Sequence, residues 1–189
     1  MLTNILIILT FTFTSQAQEI VWDSTFVVDK VEFKVLACRT ETKNFALLIK
    51  SKTDTLTIEG VNGNIEILKF DNDYFFDVIF SYIGNLYIAD LFLYDNKSKT
   101  YKQVDGFREV SDSKKLTSNS RYYYSYHRAG CADMNWISNL FYIENFKVYQ
   151  IGEIYGKGCD HEDSKKEIQI SKIVTLDKQF IVERLPIDT

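Results

Sequence analysis

The chain consists of short runs of apolar, β-branched and aromatic residues, and turn residues separate each run from the next. Aromatic residues make up 15% of the 189 residues, whereas alanine is rare. This composition favours strands over helices, and no apolar stripe repeats with the 3.6-residue period of a helix. The pattern therefore predicts an all-β chain of about a dozen strands.

Two predicted strands, residues 75–83 and 86–94, are apolar on both faces. A strand that buries both faces lies between other layers, so we expect these two to be central. Gly84 and Asn85 between them predict a two-residue hairpin turn. The even spacing of strands and turns predicts a propeller-like domain of short antiparallel strands, with a β-sandwich or a closed barrel as the alternative.

The first residues of the chain predict export. Residues 5–13 form an apolar run, and Ser15 and Ala17 occupy the −3 and −1 positions of a small-x-small cleavage site. The run is shorter than the roughly 20 residues that span a bilayer. No lysine or arginine precedes it, which departs from the usual pattern. We therefore expect residues 1–17 to be the signal peptide of a periplasmic or secreted protein without a membrane anchor.

The mature chain is expected to form one domain, residues 18–189. The single proline, Pro186, lies near the C-terminal end, so no proline-rich linker divides the chain. Residues 105–119 are polar, with serine and lysine clustered, and they predict a long surface loop.

Asp71, Asp73 and Asp77 form an acidic segment between two predicted strands. Calcium takes six to eight oxygen ligands, and acidic residues two apart with a later third one supply such oxygens. Lys69 stands where the fuller pattern has its first aspartate, and Tyr74 replaces its glycine. Three interpretations stay open: a calcium site, a solvated Asx-type turn between strands, and a different use such as a carboxylate that holds neighbouring backbone N–H groups.

Residues 68–143 contain three features in order: the acidic segment 71–77, the strand LFLYD at 91–95 with Tyr101 after it, and the strands 122–127 and 136–143 with Gly130 between them. In these features they resemble a family of exported β-propeller-like proteins that includes immunity proteins and inhibitors of lysozyme-like peptidoglycan hydrolases. The resemblance implies a propeller-like fold and a protein partner that is a peptidoglycan hydrolase.

The three cysteines are Cys38, Cys131 and Cys159. Cysteines tend to pair in an oxidising compartment. The predicted strand order puts Cys131 and Cys159 in loops at one end of consecutive strands, so we predict that they form a disulfide and that Cys38 is a buried thiol. His127 and His161 lie beside the paired cysteines, and a zinc site with two cysteines and two histidines is the open alternative.

Tyr122, Tyr124 and Tyr126 alternate along one predicted strand and therefore share a face. In an exposed position they are a candidate surface for a protein partner or a glycan; the alternative is packing against a neighbouring strand. Asp160 and Glu162 belong to an acidic loop, which is either solvated or a contact for a basic partner.

The net charge is -4, and no Lys/Arg patch is interleaved with aromatic residues, so nucleic-acid binding is disfavoured. No nucleophile elbow, metalloprotease motif or phosphate-binding loop occurs in the sequence. Asp90 stands alone in an apolar strand, where a hydrogen-bonded structural carboxylate is expected. These observations predict a non-enzymatic binding protein.

From the resemblance, the binding protein would be an inhibitor or immunity protein that occludes a lysozyme-like cell-wall hydrolase. It would insert a polar loop, either residues 105–119 or the loops that carry Cys131 and Cys159. The alternatives are a structural or ligand-binding module of a cell-envelope assembly and, third, a secreted glycan-active enzyme.

Overall fold

The structure is a computed structural model. It describes residues 19–39, 44–51, 54–59, 63–71, 73–82, 84, 86–159, 167–175 and 178–186. The predicted signal peptide, residues 1–17, lies outside the described residues, as do Asp160, His161 and Glu162. Within the described ranges no helix is both long enough and apolar enough to cross a membrane.

Antiparallel strands form nearly all the regular structure, and the described residues add one single-turn 3₁₀ helix, Phe107–Val110. The strands are β1 (Glu19–Val28), β2 (Val31–Arg39), β3 (Asn44–Ser51), β4 (Asp54–Glu59), β5 (Ile65–Leu68), β6 (Asp77–Tyr82), β7 (Ile88–Asp95), β8 (Thr100–Gln103), β9 (Ser113–Lys115), β10 (Tyr123–Ser125), β11 (His127–Arg128), β12 (Trp136–Glu144), β13 (Lys147–Lys157), β14 (Glu167–Thr175) and β15 (Lys178–Pro186). The predicted all-β class is confirmed.

The strands belong to three sheets. The N-terminal sheet has the order β1-β2-β3-β4, and the middle sheet has the order β5-β6-β7-β8. The C-terminal sheet has the order β15-β14-β13-β12-β10-β9, and β11 also pairs with β12. Strands that follow each other in the chain are mostly neighbours in a sheet, as in the blades of a propeller. Within the described part of the chain, none of these three sheets closes into a barrel.

The middle sheet is buried on both faces. In β6, Val78 and Phe80 lie in a core shared with the N-terminal sheet. Ile79 between them lies in a second core, shared with the C-terminal sheet. In β7, Phe92 belongs to the first core and Leu91 to the second. Because successive side chains of a strand point to opposite faces, the doubly apolar strands are central, as predicted.

Aromatic rings fill much of both cores. In the first core the ring of Phe33 meets the ring of Tyr101 edge to face, with centroids 5.0 Å apart. In the second core Phe70 stacks on Tyr123 at 4.9 Å and meets Phe107 edge to face at 5.4 Å. Such pairs contribute about 0.5–1.5 kcal/mol each beyond the burial of their area. The high aromatic content therefore serves the contacts between sheets.

The prediction of a long surface loop at residues 105–119 is wrong in part. Phe107 and Val110 of the 3₁₀ helix are buried in the second core, and β9 pairs with β10 at the edge of the C-terminal sheet. Phe107 and Val110 anchor this mostly polar segment, and so sparse an apolar pattern has no period that identifies a strand or a helix.

Candidate binding surface on the C-terminal sheet

The predicted tyrosine row lies on the face of the C-terminal sheet that points away from the middle sheet. Tyr123 and Ser125 of β10 are buried, whereas Tyr124 and Tyr126 are 37% and 48% exposed. Side chains alternate along a strand, so Tyr122 shares the outward side with these two tyrosines. The row is therefore open to solvent, and no strand among the described residues covers it.

Rings from neighbouring strands extend this row. Tyr122 meets Tyr142 of β12 edge to face at 6.2 Å, and Tyr142 stacks on Tyr149 of β13 at 5.2 Å. At the other end the ring of Tyr126 lies 5.9 Å from that of Trp136. We call this surface the aromatic face; it consists of Tyr122, Tyr124, Tyr126, Trp136, Tyr142 and Tyr149.

A shallow groove of about 510 Å³ crosses the same side of the sheet. Tyr124 of the aromatic face lines it together with Leu140 and Ile154. Gly152 pairs with Leu140 in the register of β12 and β13 and also lines the groove. Since glycine has no side chain, the groove stays open at this point.

Trp136 lies directly over Gly156, its partner in the register of β12 and β13. A Cβ atom added to Gly156 would lie 2.1 Å from the indole Nε1 of Trp136, a distance that no real contact allows. Glycine at this position therefore lets the indole rest against the backbone of β13 and fixes one end of the aromatic face.

Cys131 and Cys159 form a disulfide with a Cα–Cα distance of 6.2 Å, and Cys38 is the buried free cysteine. Both predictions are confirmed. Two bridged sulfurs do not supply the thiolates that the alternative zinc site needs. Disulfides form and persist in oxidising compartments, so the bridge fits a periplasmic or extracellular protein.

The acidic segment is a hydrogen-bonded turn in the described structure. The N–H of Asp73 donates to Oδ1 of Asp71 at 2.8 Å, and the N–H of Phe75 donates to Oδ1 of Asp73 at 2.8 Å. Lys115 donates from Nζ to the carbonyl oxygen of Asp71 at 2.8 Å. These hydrogen bonds are the ones expected if the acidic segment is an Asx-type turn between two strands.

Asp77 is the fully buried member of the acidic segment. Its carboxylate accepts hydrogen bonds from the N–H of Phe70 at 2.9 Å and the N–H of Tyr94 at 3.3 Å. Burial, helped by the charge of Asp71, raises the pKa of Asp77 to about 7. Among the described residues no group of three or more His, Cys, Asp or Glu side chains is placed to hold a metal ion. Calcium binding by Asp71, Asp73 and Asp77 stays a prediction.

Asp90 has the structural surroundings expected from the sequence. Arg108 donates from Nε to Oδ1 and from Nη2 to Oδ2, each at 2.7 Å. Gln103 donates to Oδ1 at 2.9 Å, and the Tyr82 hydroxyl donates to Oδ2. Burial raises the pKa of Asp90, but the bonds from Arg108 and Tyr82 outweigh it and leave the pKa below its ordinary value. The ion pair joins the 3₁₀ helix to β7.

No family model and no curated protein matches this sequence. The fold has a solved structural counterpart. It is described as a Xanthomonas type IV secretion system related protein. The TM-score is 0.54 at 11% sequence identity, and the match covers 92% of this chain and 96% of that chain. At this identity the likeness shows the fold alone.

The sequence predicted half of the aromatic face. Its other three rings are Trp136, Tyr142 and Tyr149, which the sequence interpretation assigned to strands without a surface role. Trp136 and Tyr142 are six residues apart in β12 and so share a face, which was visible in the sequence. Their placement beside the tyrosine row depends on the pairing of β12 with β10 and β13. That pairing was not visible in the sequence.

Proposed function

We propose that this chain is an exported, non-enzymatic binding protein that occludes a lysozyme-like cell-wall hydrolase. The observation that carries the proposal is the aromatic face, six rings on the outward side of one sheet. Tyrosine and tryptophan dominate protein interfaces because they bury a large area with few rotatable bonds. The sequence resemblance of residues 68–143 supports a hydrolase as the partner.

The use of the buried carboxylates supports binding over catalysis. Asp77 has a pKa raised to about 7, but its side chain is fully buried and accepts backbone N–H bonds, so it does not face a substrate site. Asp90 is held in an ion pair with Arg108. Glycoside hydrolysis needs two carboxyl groups that face each other across a substrate site, one of them free to donate a proton. A carboxylate whose pKa is lowered by an arginine is poorly suited to donate that proton.

The aromatic face also suits the chemistry of a glycan-binding cleft. Sugar rings offer C–H groups and hydroxyl groups, and a tyrosine offers a ring of similar size with one hydroxyl group. Tyrosines on a rigid sheet can therefore occupy the subsites that a cell-wall hydrolase uses for its substrate. The enzyme is then blocked without any reaction of the binding protein.

The test is the rate of peptidoglycan hydrolysis by c-, g- and i-type lysozymes in the presence of the purified mature protein. We expect inhibition of at least one type, and at least tenfold weaker inhibition by the double variant Tyr124→Ser, Tyr126→Ser. Tyr74→Ser is the matched control, because Tyr74 is 89% exposed and lies outside the C-terminal sheet. If none of the three types is inhibited, the proposal is wrong.

A second candidate is a structural or ligand-binding module of a cell-envelope assembly. The observation that favours it is the structural counterpart, since a secretion system is itself an envelope assembly. The two candidates differ in their partners. Stable binding of a purified envelope component, with no effect on any hydrolase, would favour the module.

A further inference from the structure

A pocket of about 490 Å³ opens at the margin of the second core, between the middle sheet and the C-terminal sheet. This volume is within the range of small-molecule sites. β5 lines one wall, and β9 with the two residues before it lines the other. The floor is apolar and belongs to the second core; it consists of Leu68, Phe70, Ile79 and Tyr123. We call this space the margin pocket.

Both walls of the margin pocket carry charges in the same order. In the wall at β5, Glu66 precedes Lys69 by three residues, and both line the pocket. In the wall at β9, Asp112 precedes Lys115 by three residues, and both line it as well. Three residues of extended chain span about 10 Å, so each wall separates a carboxylate position from a lysine position by about that distance.

The two carboxylates lie at one end of the margin pocket, beside Tyr87. Burial raises the pKa of Tyr87, and the charges of Glu66 and Asp112 raise it further. Tyr87 is 47% exposed and lines the pocket, so its ring stands at this end. Within the described residues, neither carboxylate is held in an ion pair. This end therefore favours a cationic group.

The two lysines lie at the other end, beside the acidic segment. Lys115 donates from Nζ to the carbonyl oxygen of Asp71 at 2.8 Å, and the same nitrogen lies 5.8 Å from the centre of the Tyr123 ring. The Nζ of Lys69 lies 5.7 Å from the centre of the Phe76 ring. This end therefore favours an anionic group, and the pocket has opposite charge at its two ends.

We propose that the margin pocket binds a short extended peptide of about three residues with both termini free. Its N-terminal ammonium group lies at Glu66 and Asp112, and its C-terminal carboxylate lies at Lys69 and Lys115. Extended chain advances by about 3.3–3.6 Å per residue, so about three residues match the distance between the two ends. The central side chain is apolar, because the floor between the charges is apolar.

The margin pocket is a second site, distinct from the aromatic face. Tyr123 of β10 lies in its floor, whereas Tyr124 points to the outward side of the sheet. A peptide in the margin pocket therefore leaves the aromatic face uncovered. This inference goes beyond the proposed function and does not depend on it.

Isothermal titration calorimetry of the purified mature protein with the tripeptide Ala-Phe-Ala tests the proposal. We expect saturable binding of one peptide per chain. N-acetylation and C-amidation should each weaken it about fivefold, since each removes one charge from an exposed ion pair. Free phenylalanine should bind more weakly than the tripeptide, because it does not reach both ends. If Ala-Phe-Ala does not bind, or if free phenylalanine binds as tightly, the assignment is wrong.

Substitutions at the two ends test the orientation of the peptide. Glu66→Gln should weaken binding of Ala-Phe-Ala about fivefold but hardly affect the N-acetylated peptide, which has no ammonium group left to pair. Lys69→Gln should weaken binding of the N-acetylated peptide and hardly affect the C-amidated one. Lys114→Gln is the matched control, because Lys114 is exposed and pairs with Tyr124 on the opposite side of β9 from Lys115.

Thermal unfolding should be nearly the same for the wild type and these variants. If Glu66→Gln and Lys69→Gln bind every peptide like the wild type, or if Lys114→Gln weakens binding as much as they do, the margin pocket is not the site. An unbranched ω-amino acid of the same length carries the same two charges without peptide groups or a side chain. Equal affinity for it would overturn the assignment to a peptide. Inhibition of lysozymes reports on the aromatic face, so the failure of either proposal leaves the other standing.

Discussion

The Asp77 carboxylate accepts a hydrogen bond from the backbone N–H of Phe70 at 2.9 Å. Asp77 is the first residue of β6, and Phe70 lies at the start of the turn that leads into this strand. The hydrogen bond therefore ties the two ends of the turn together. The same carboxylate accepts the N–H of Tyr94 in β7 at 3.3 Å. One buried side chain thus joins a turn to two central strands, and its protonation affects the stability of the middle sheet.

This relationship predicts that stability falls as pH rises from about 4 to about 7. The pKa of Asp77 is about 7 in the folded protein against a reference value of 3.8, because burial and the charge of Asp71 disfavour its ionised form. In this window the folded state holds a proton that the unfolded state has released. Full ionisation above the folded pKa costs about 4 kcal/mol, at about 1.4 kcal/mol per pKa unit.

Urea unfolding at about pH 5 and about pH 8 checks this prediction. In Asp77→Asn the side-chain amide oxygen still accepts the hydrogen bond from the Phe70 N–H, but the side chain has no proton to release in this pH range. We expect the difference in unfolding free energy between the two pH values to shrink in this variant. An unchanged difference would show that other groups produce the dependence.

The ion pair of Asp90 with Arg108 predicts the opposite pH behaviour. Because the folded pKa of Asp90 lies below its reference value of 3.8, its stabilisation is present above pH 4 and lost as pH falls below that value. Arg108→Ala leaves the buried carboxylate without its cation and should cost about 2 kcal/mol at neutral pH, since the half-exposed arginine is partly screened.

Chemical denaturation at about pH 7 and about pH 3 measures this effect, which should be smaller at the lower pH. Arg121→Ala is the matched control. Arg121 lies 3.9 Å from Glu144, and both side chains are exposed, so its removal should cost less than about 0.5 kcal/mol.

Gly156→Ala should displace the Trp136 indole. The added methyl group would lie 2.1 Å from Nε1, so the ring must move and strain the sheet, at about 1–3 kcal/mol. Tryptophan fluorescence and thermal unfolding check this expectation. At Gly84 the nearest atom to an added Cβ is 3.6 Å away, so Gly84→Ala should leave both readouts unchanged.

The disulfide predicts one reactive thiol, that of Cys38, in denatured and unreduced protein. Its two cysteines are 28 residues apart, so the chain-entropy model gives a loss of about 3.6 kcal/mol for Cys131→Ser, Cys159→Ser. Thiol titration and urea unfolding are the two measurements. Three reactive thiols would contradict the pairing.

The predicted calcium site is tested by thermal unfolding with calcium and with excess chelator. If Asp71, Asp73 and Asp77 bind the ion, calcium should raise the midpoint, because a ligand that binds only the folded state stabilises it. Asp73→Asn should remove the difference, since it deletes one charged ligand. A wild-type midpoint that is the same in both conditions leaves these residues as the turn that the hydrogen bonds describe.

Prediction from sequence succeeded where the signal is local. Residues 75–83 and 86–94 are near-continuous apolar runs, which are typical of strands buried on both faces, and these runs identified the central strands. The prediction failed for β1, Glu19–Val28, which was not expected as a strand. Its residues 20–22 and 26–28 are consecutive apolar residues, so the sequence lacks the alternation that marks a half-buried strand. In the structure the first five residues of β1 are exposed, and burial alternates only from Ser24 to Val28.

Residue type, side-chain alternation and the order of strands along the chain were enough to predict the all-β class, the two doubly buried strands, the disulfide partners and the shared face of Tyr122, Tyr124 and Tyr126. The tertiary structure decided that Phe107 and Val110 are core residues, that Trp136, Tyr142 and Tyr149 complete the aromatic face, and that residues 129–135 hold a left-handed turn. Each of these three features depends on which strands become neighbours and in what register. Contacts between residues far apart in the chain decide the pairing, and a local sequence pattern does not predict the free energy of such contacts.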